Sequence, residues 1–324
     1  MTAPAGRTAL VTAAVAALCG IMAARAEDAV RQGGTAMPVC RHEPLEGRLL
    51  LDATLPDWTH LSSNAGDIPE SALAGDEQTA SLVIDLDADG IDDFVIAERT
   101  TAPSVVWFRR TGDGWQQYVI DNTHLRIEAG GAATDIDGDG DLDIVFGGDA
   151  GSNGIWWWEN PSPAFDPAVP WVRRTIKNSG SNKHHDQIFG DFDGDGADEL
   201  VTWNQGAGRL YVAEIPDDAA AVASWNLVSI YTGNSSHEGL AAADIDLDGV
   251  TDIIGAGRWY EHVSGTTFTA HTIDAAQVFT RAAAGQLIAG GRPEVIFVPG
   301  DADGPMKLYQ WTGSSWSATT LIAN

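Results

Sequence analysis

Between residues 85 and 260 the apolar positions fall in short runs, and four of these runs follow directly on a tight cluster of acids. The runs are "FVIAE" from Phe94, "IVFGG" from Ile144, "LVTWN" from Leu200 and "IIGAG" from Ile253. They are rich in β-branched and aromatic residues and bounded by glycine and aspartate, so they predict strands. Further along each unit come an aromatic strand such as "IWWWEN" and a fourth strand that opens on an aromatic residue. These fourth strands are "WQQYVI", "WVRRTI", "WNLVSI", "FTAHTI" and "WSATTL", beginning at Trp115, Trp171, Trp225, Phe268 and Trp316.

The acid clusters are one repeated pattern: "DLDADGIDD" from Asp85, "DIDGDGDLD" from Asp135, "DFDGDGADE" from Asp191 and "DIDLDGVTD" from Asp244. Successive copies start 50, 56 and 53 residues apart, the length of one four-stranded propeller blade. A worn fifth copy, "QLIAGGRPE" from Gln286, keeps the glycine and the last acid. The predicted fold is all-β, a β-propeller of four-stranded blades with loops of one kind on one rim. Five repeats are clear. The N-terminal "GRLLLDATLPDWTHLSS" resembles the third and fourth strands of a further, partial blade, with Trp58 in the matching place.

Acids at positions 1, 3 and 5, a turn glycine at 6 and an acid at 9 supply the oxygens that a hard cation needs. The candidate ligands are Asp85, Asp87, Asp89, the Ile91 carbonyl and Asp93; Asp135, Asp137, Asp139, Asp141 and Asp143. In the third and fourth copies they are Asp191, Asp193, Asp195, the Ala197 carbonyl and Glu199; then Asp244, Asp246, Asp248, the Val250 carbonyl and Asp252. Ca2+ suits such a cage better than Mg2+, giving about four structural sites. An EF-hand would close at position 12 between helices, whereas this loop closes at 9 and feeds a strand. Bare acidic turns would leave like charges crowded together.

The repeat also aligns residues at the other end of the inner strands. Seven places before each first aspartate stand Gln78, Glu128, His184, His237 and, in the worn copy, Phe279. Nearby are His185 with Asp186, Glu238 and Arg281. On a propeller these positions converge on the mouth of the central channel. Loops joining second to third strands open on the same rim and add Arg99, Asp149, Asn153, Asn204, Gln205, Arg258 and Asp301. Such a mixture of His, Glu, Asp, Arg and Asn suits a sugar bearing a carboxylate, although each residue alone could merely close the channel. An additional divalent metal at the mouth is compatible with His184, His185 or His237 beside a carboxylate. The triple Trp156 to Trp158 reads as packing between blades rather than as a sugar platform.

Charge and cysteine content narrow the function. The formal charge is −28, which argues against nucleic acid as a partner. Residues 1–26 have the form of a signal peptide: Arg7, the apolar "TALVTAAVAALCGIM", then Ala24-Arg25-Ala26. Cleavage there removes two arginines and takes the −28 to −30. It also leaves Cys40 without an intramolecular partner. The expected organisation is a signal peptide over 1–26, a leader over 27–47 and a propeller over 48–324. A secreted or periplasmic monomer, free of the membrane after cleavage, is expected. No G-x-S-x-G, P-loop or dinucleotide fingerprint is present.

At "DIDGDGDLDIVFGGD" and its sister segments the sequence resembles the FG-GAP/VCBS repeat family of calcium-binding β-propellers, over residues of about 75 to 305. The stretches "HHDQIFGDFDGDGADELV" and "SHEGLAAADIDLDG" are similar to exported microbial carbohydrate-active propellers, among them rhamnose-glucuronate lyases and aldos-2-ulose dehydratases. Those relatives are usually seven-bladed. The resemblance implies an elimination on an acidic or oxidised sugar, such as one in an anionic polysaccharide, by a polysaccharide lyase or sugar dehydratase. Arg281, Arg258 or a cation would neutralise the carboxylate. His237 or His184 would take the proton, with Glu238 or Asp186 orienting the ring. A propeller that binds glycan or protein without turnover is the rival reading.

Overall fold

The computed structural model describes residues 59–300 and 302–323. The expected signal peptide, the leader, both cysteines, Trp58 and Asp301 lie outside the described residues, as does most of the expected partial blade. The described chain folds as five four-stranded antiparallel blades arranged as a β-propeller. Blade 1 comprises β1 (Gln78–Ile84), β2 (Asp93–Glu98), β3 (Val105–Thr111) and β4 (Gly114–Asp121). Blade 2 comprises β5 (Ala132–Thr134), β6 (Asp143–Gly147), β7 (Ile155–Glu159) and β8 (Val172–Lys177). Blade 3 is built from β9 (His184–Gly190), β10 (Glu199–Asn204), β11 (Arg209–Glu214) and β12 (Val228–Thr232). Blade 4 has β13 (Ala241–Ala243), β14 (Asp252–Gly255), β15 (Arg258–Ser264) and β16 (Thr267–Thr272). Blade 5 has β17 (Thr280–Gly285), β18 (Glu294–Pro299), β19 (Met306–Trp311) and β20 (Trp316–Ile322). Among the described residues no helix is long and apolar enough to cross a membrane.

Every blade is a meander, so the acidic loops, which join first to second strands, share one rim. The second-to-third loops and the segments entering each blade share the other. The core lies between blades, because successive residues of a strand face opposite neighbours. Trp158 packs with Trp107, Phe146 and Ile144 between blades 1 and 2. Trp157 turns the other way, to Val145, Leu200 and Trp225 between blades 2 and 3. Similar clusters around Trp203 and Tyr260, and around Phe297 and Trp259, join blades 3 to 4 and 4 to 5. The triple tryptophan is thus interblade packing, with Trp156 half-buried against the first of these cores. The outward face of blade 1 is covered by Ala72 and Leu73, which sit on Val106, Phe108 and Trp115.

Two inner strands are shorter than the repeat implies. β5 and β13 have three residues each, so Glu128 and His237 precede their strands instead of starting them. Glycine in a left-handed conformation is the cause in both. Gly130 has φ +98° and Gly239 has φ +81°. A Cβ on Gly130 would lie 2.4 Å from Asp186 Cα, and one on Gly239 would lie 2.1 Å from the Thr280 carbonyl oxygen. At these points one blade's backbone passes directly over the next. Replacement Gly130→Ala adds both a steric clash and an unfavourable φ, for about 1–3 kcal/mol of lost stability. A urea midpoint unchanged by that substitution would contradict this packing.

Candidate functional site

The acidic loops form two distinct sets of contacts. The position-1 aspartate accepts backbone N–H groups from its own loop. Asp135 takes those of Gly138 at 2.8 Å and Gly140 at 3.0 Å, and Asp244 takes Leu247 at 2.7 Å and Gly249 at 3.0 Å. Asp191 takes Gly194 at 2.7 Å, and Asp85 takes Gly90 at 2.8 Å. The remaining oxygens converge: in each loop three or four carboxylates place one oxygen apiece within 4.8 Å of the others. The groups are Asp85, Asp87, Asp89; Asp135, Asp137, Asp143; Asp191, Asp193, Asp195, Glu199; and Asp244, Asp246, Asp248. This donor set is all carboxylate oxygen, which fits calcium. In the first loop Arg109 already pairs with Asp87.

The position-9 acid has a different principal role. It is buried, and it fastens the loop to the sheet by accepting backbone N–H groups. Asp143 holds Ile136 N at 3.0 Å and Asn160 N at 2.8 Å; Glu199 holds Phe192 N at 2.8 Å; Asp252 holds Ile245 N at 2.8 Å. Asp93 accepts from Arg110 N at 2.6 Å and from the Trp107 indole at 3.0 Å. Glu294 keeps this clasp in the worn copy, taking Leu287 N at 2.9 Å and Ile288 N at 3.0 Å. Burial, then neighbouring loop aspartates, push these acids up: Asp143 and Asp252 to about 7 and Glu199 to about 8.

At the opposite rim the structure brings His185, Asp186, Glu238 and Arg281 together, from three successive blades. Asp186 is the extra residue of a β-bulge in β9, with φ +54°. His185 Nδ1 is 2.7 Å from Asp186 Oδ2, and its Nε2 is 3.2 Å from Glu238 Oε2. Arg281 Nη1 reaches Glu238 Oε1 at 3.0 Å and Asp186 Oδ2 at 3.7 Å. Asp186 also accepts the Gly239 N–H at 2.8 Å. Burial opposes a charge on His185, but Asp186 and then Glu238 outweigh it and raise its pKa. Arg281 and the His185 ring face two carboxylates, and Glu238 and Asp186 serve His185 rather than His237 or His184.

His184 points elsewhere. It is fully buried against Asn204, whose Nδ2 lies 3.1 Å from its Nε2, and it bonds to the Ser181 carbonyl. Burial, with Lys177 nearby, pushes its pKa down to about 3. His237 sits between blades 3 and 4 and is 4% exposed. Its ring lies 5.3 Å from that of Trp203 and 5.9 Å from that of Tyr231. The Asn234 backbone N–H points at its Nδ1 from 3.1 Å. The Asn234 side-chain oxygen lies 3.0 Å from the same nitrogen, so Asn234 offers Nδ1 both a donor and an acceptor. Burial, then Arg258, lowers the His237 pKa. Among the described residues no metal-sized grouping occurs at this mouth, because the three imidazoles face three different surroundings.

On the blade 1–2 side, Arg99 pairs with Glu77 and Asp149 at 3.3 Å each, and with Glu128. Burial and its bond to Asp149 raise Glu128. An open cavity of about 410 Å³ adjoins this group, lined by Glu77, Arg99, Thr100, His124, Arg126 and Asp149. A second, of about 470 Å³, is lined by Ser152, Asn153, Ser181, Asn182 and four small residues. Sequence reasoning missed Arg126, whose φ is +59°, and the Tyr231 and Tyr260 rings beside His237. Only the placement of Tyr231 in a fourth strand and of Tyr260 two residues after Arg258 hinted at them.

Residues 135–202 and 191–255 match the family model of the FG-GAP-like repeat. No curated protein matches the chain. The V. cholerae biofilm matrix protein Bap1 superposes with a TM-score of 0.46 at 17% identity, over 72% of this chain and 37% of that one. This chain therefore spans little more than a third of Bap1. A mutant of AofleA from Arthrobotrys oligospora gives 0.46 at 9% identity, over 75% of this chain and 72% of that one. The six-bladed aleuria aurantia lectin gives 0.43 at 12%, over 75% and 78%.

The buried clasps set a pH dependence for the ion-free protein. Their folded pKa values are raised, so the stability present at low pH is lost as they ionise. His185, also raised, acts in the same sense. His184 acts oppositely, but only between its ordinary 6.5 and about 3. Between pH 6.5 and 8 the first group stands unopposed, since Lys177, which burial lowers to about 8, acts in the opposite sense only above that. In a chelator, the melting temperature should fall between pH 6.5 and 8; a flat or rising profile would refute this account.

Proposed function

We propose that this protein is an exported, calcium-stabilised propeller that binds carbohydrate at the channel rim without turning it over. The observation that carries the reading is the state of the mouth histidines. His184 is enclosed, His185 is held between two carboxylates, and His237 is buried with its Nδ1 against Asn234. An elimination needs a base at an open cavity; none of these three offers one, and His124, which does line a cavity, has its Nε2 on the Arg99 carbonyl at 2.9 Å. The open volume at the rim is instead lined by amide, hydroxyl, guanidinium and carboxylate groups, which match sugar hydroxyls.

The second reading, elimination on an acidic or oxidised sugar, is favoured by one feature: a neutral His237 imidazole with Arg258 acting on it. It requires the buried His237 ring to reach a substrate and its Nδ1 to keep or leave Asn234 as it does so. A panel of neutral and acidic polysaccharides separates the two. Saturable binding without ultraviolet absorbance from an unsaturated product is expected. Turnover abolished by His237→Ala, with the melting temperature kept, would reverse the order of the readings.

Calcium in the four loops is the structural half of the proposal. Each site filled a hundred- to a thousandfold above Kd would add roughly 3–4 kcal/mol, and calcium should abolish the loss of stability above pH 6.5. Because Arg109 competes for Asp87, Asp85→Asn should lower the calcium-dependent melting temperature less than Asp191→Asn does. Melting curves indifferent to chelator would dispose of the calcium claim.

A further inference from the structure

On the rim of the acidic loops, each third strand passes beside the clasp of its own blade. In blade 3 the register pairs Glu199 of β10 directly with Glu214 of β11. The equivalent residues elsewhere follow from the neighbouring pairs, Phe94 with Phe108, Ile144 with Trp158, Ile253 with Tyr260 and Val295 with Tyr309. Arg109 therefore stands opposite Asp93, Glu159 opposite Asp143, Glu261 opposite Asp252 and Gln310 opposite Glu294.

Like charges directly opposite on paired strands are destabilising, and the other blades relieve them within the chain. Arg109 pairs with Asp87 and lies 5.4 Å over the Phe165 ring. Arg174 donates to Glu159 at 2.8 Å, and His271 Nε2 lies 2.7 Å from a Glu261 oxygen. Gln310 carries no charge. Blade 3 has no such relief. Among the described residues Glu214 forms no ion pair, and after burial the groups acting most on its charge are Asp193 and Asp195. Glu199, 1% exposed, accepts the Phe192 N–H with one oxygen and leaves the other, Oε1, without a partner. It also joins Asp191, Asp193 and Asp195 in a group of four carboxylates, whereas the other loops gather three each. A buried carboxylate oxygen with no donor, set among further carboxylates, is completed by a cation.

We propose that the third-strand residue opposite the clasp ranks the loops as calcium sites: Glu214 is a further carboxylate of loop 3 and makes it the tightest, and Arg109 is a built-in cation that makes loop 1 the weakest. The ranking rests on the calcium reading and goes beyond it, because it assigns the ion's order of filling to residues outside the acidic loops. Calcium affinity follows the number of charged groups around the ion. Loop 3 has the most carboxylates and no competing cation, while loop 1 has a guanidinium already on Asp87. Loops 2 and 4 fall between, since Arg174 and His271 divert Glu159 and Glu261.

Calorimetric titration of the full-length protein with calcium, together with melting curves in chelator, tests the ranking. The wild-type protein should take up calcium at unequal sites. Glu214→Gln should weaken the tightest site roughly tenfold, and Asp191→Asn should remove it. Arg109→Gln should tighten the weakest site by a similar factor and leave the tightest unchanged. In chelator, Glu214→Gln should raise the melting temperature, because it removes repulsion on Glu199, Asp193 and Asp195. Glu159→Gln should not raise it, because Arg174 loses its partner. Uptake at equal sites, a tightest site indifferent to Glu214→Gln, a weakest site indifferent to Arg109→Gln, or a chelator melting temperature lowered by Glu214→Gln would overturn the ranking and leave calcium stabilisation standing. No uptake by the wild-type protein would overturn both.

Discussion

One interaction recurs in all five blades: a buried position-9 carboxylate accepting the backbone N–H of the residues that open the acidic loop. It joins the two innermost strands at one rim and fixes their register. Because side chains alternate along a strand, a slip of one residue would exchange the two faces of a blade. Each blade needs a definite apolar set on each face, as Trp157 and Trp158 show by entering different interblade cores. The clasp therefore sets the interblade packing, and through the inner strands it sets which residues stand at the opposite rim. The worn fifth loop supports this order of importance, since it has lost its first three acids and kept Glu294.

That hierarchy explains what could be read in the sequence. The strand runs, the blade length and the aromatic starts near Trp115, Trp171, Trp225, Phe268 and Trp316 are local patterns, and the five meanders follow them. The convergence of His185, Asp186, Glu238 and Arg281 was legible as well, because equal offsets in a repeat become neighbours around an axis. Their pairing was not. It depends on a bulge that sets Asp186 at φ +54° and on Gly130 and Gly239 letting adjacent backbones touch. A bulge leaves no mark on residue type, and the histidine that receives both carboxylates is the one beside the aligned position, not the aligned one.

The mouth also shows why chemically suggestive residues need not be reactive. His185 and Arg281 against Asp186 and Glu238 is a closed set, in which each charge is offset by opposite charges within 3.7 Å. Removing one member of such a set leaves the others buried and uncompensated, so these residues are constrained by stability before any question of activity arises. They lie where three blades meet, and their bonds join blades that the meander leaves separate.

Groups left out of this balance carry more information. Around the axis most donors have found acceptors, including the Trp203 indole on Gly239 and the Gln205 amide near Glu238. The exceptions among the described residues include Tyr260 Oη and His237 Nε2, both buried without a partner. Packing alone would favour phenylalanine over Tyr260, since an aromatic ring fills the interblade core equally well without a hydroxyl to satisfy.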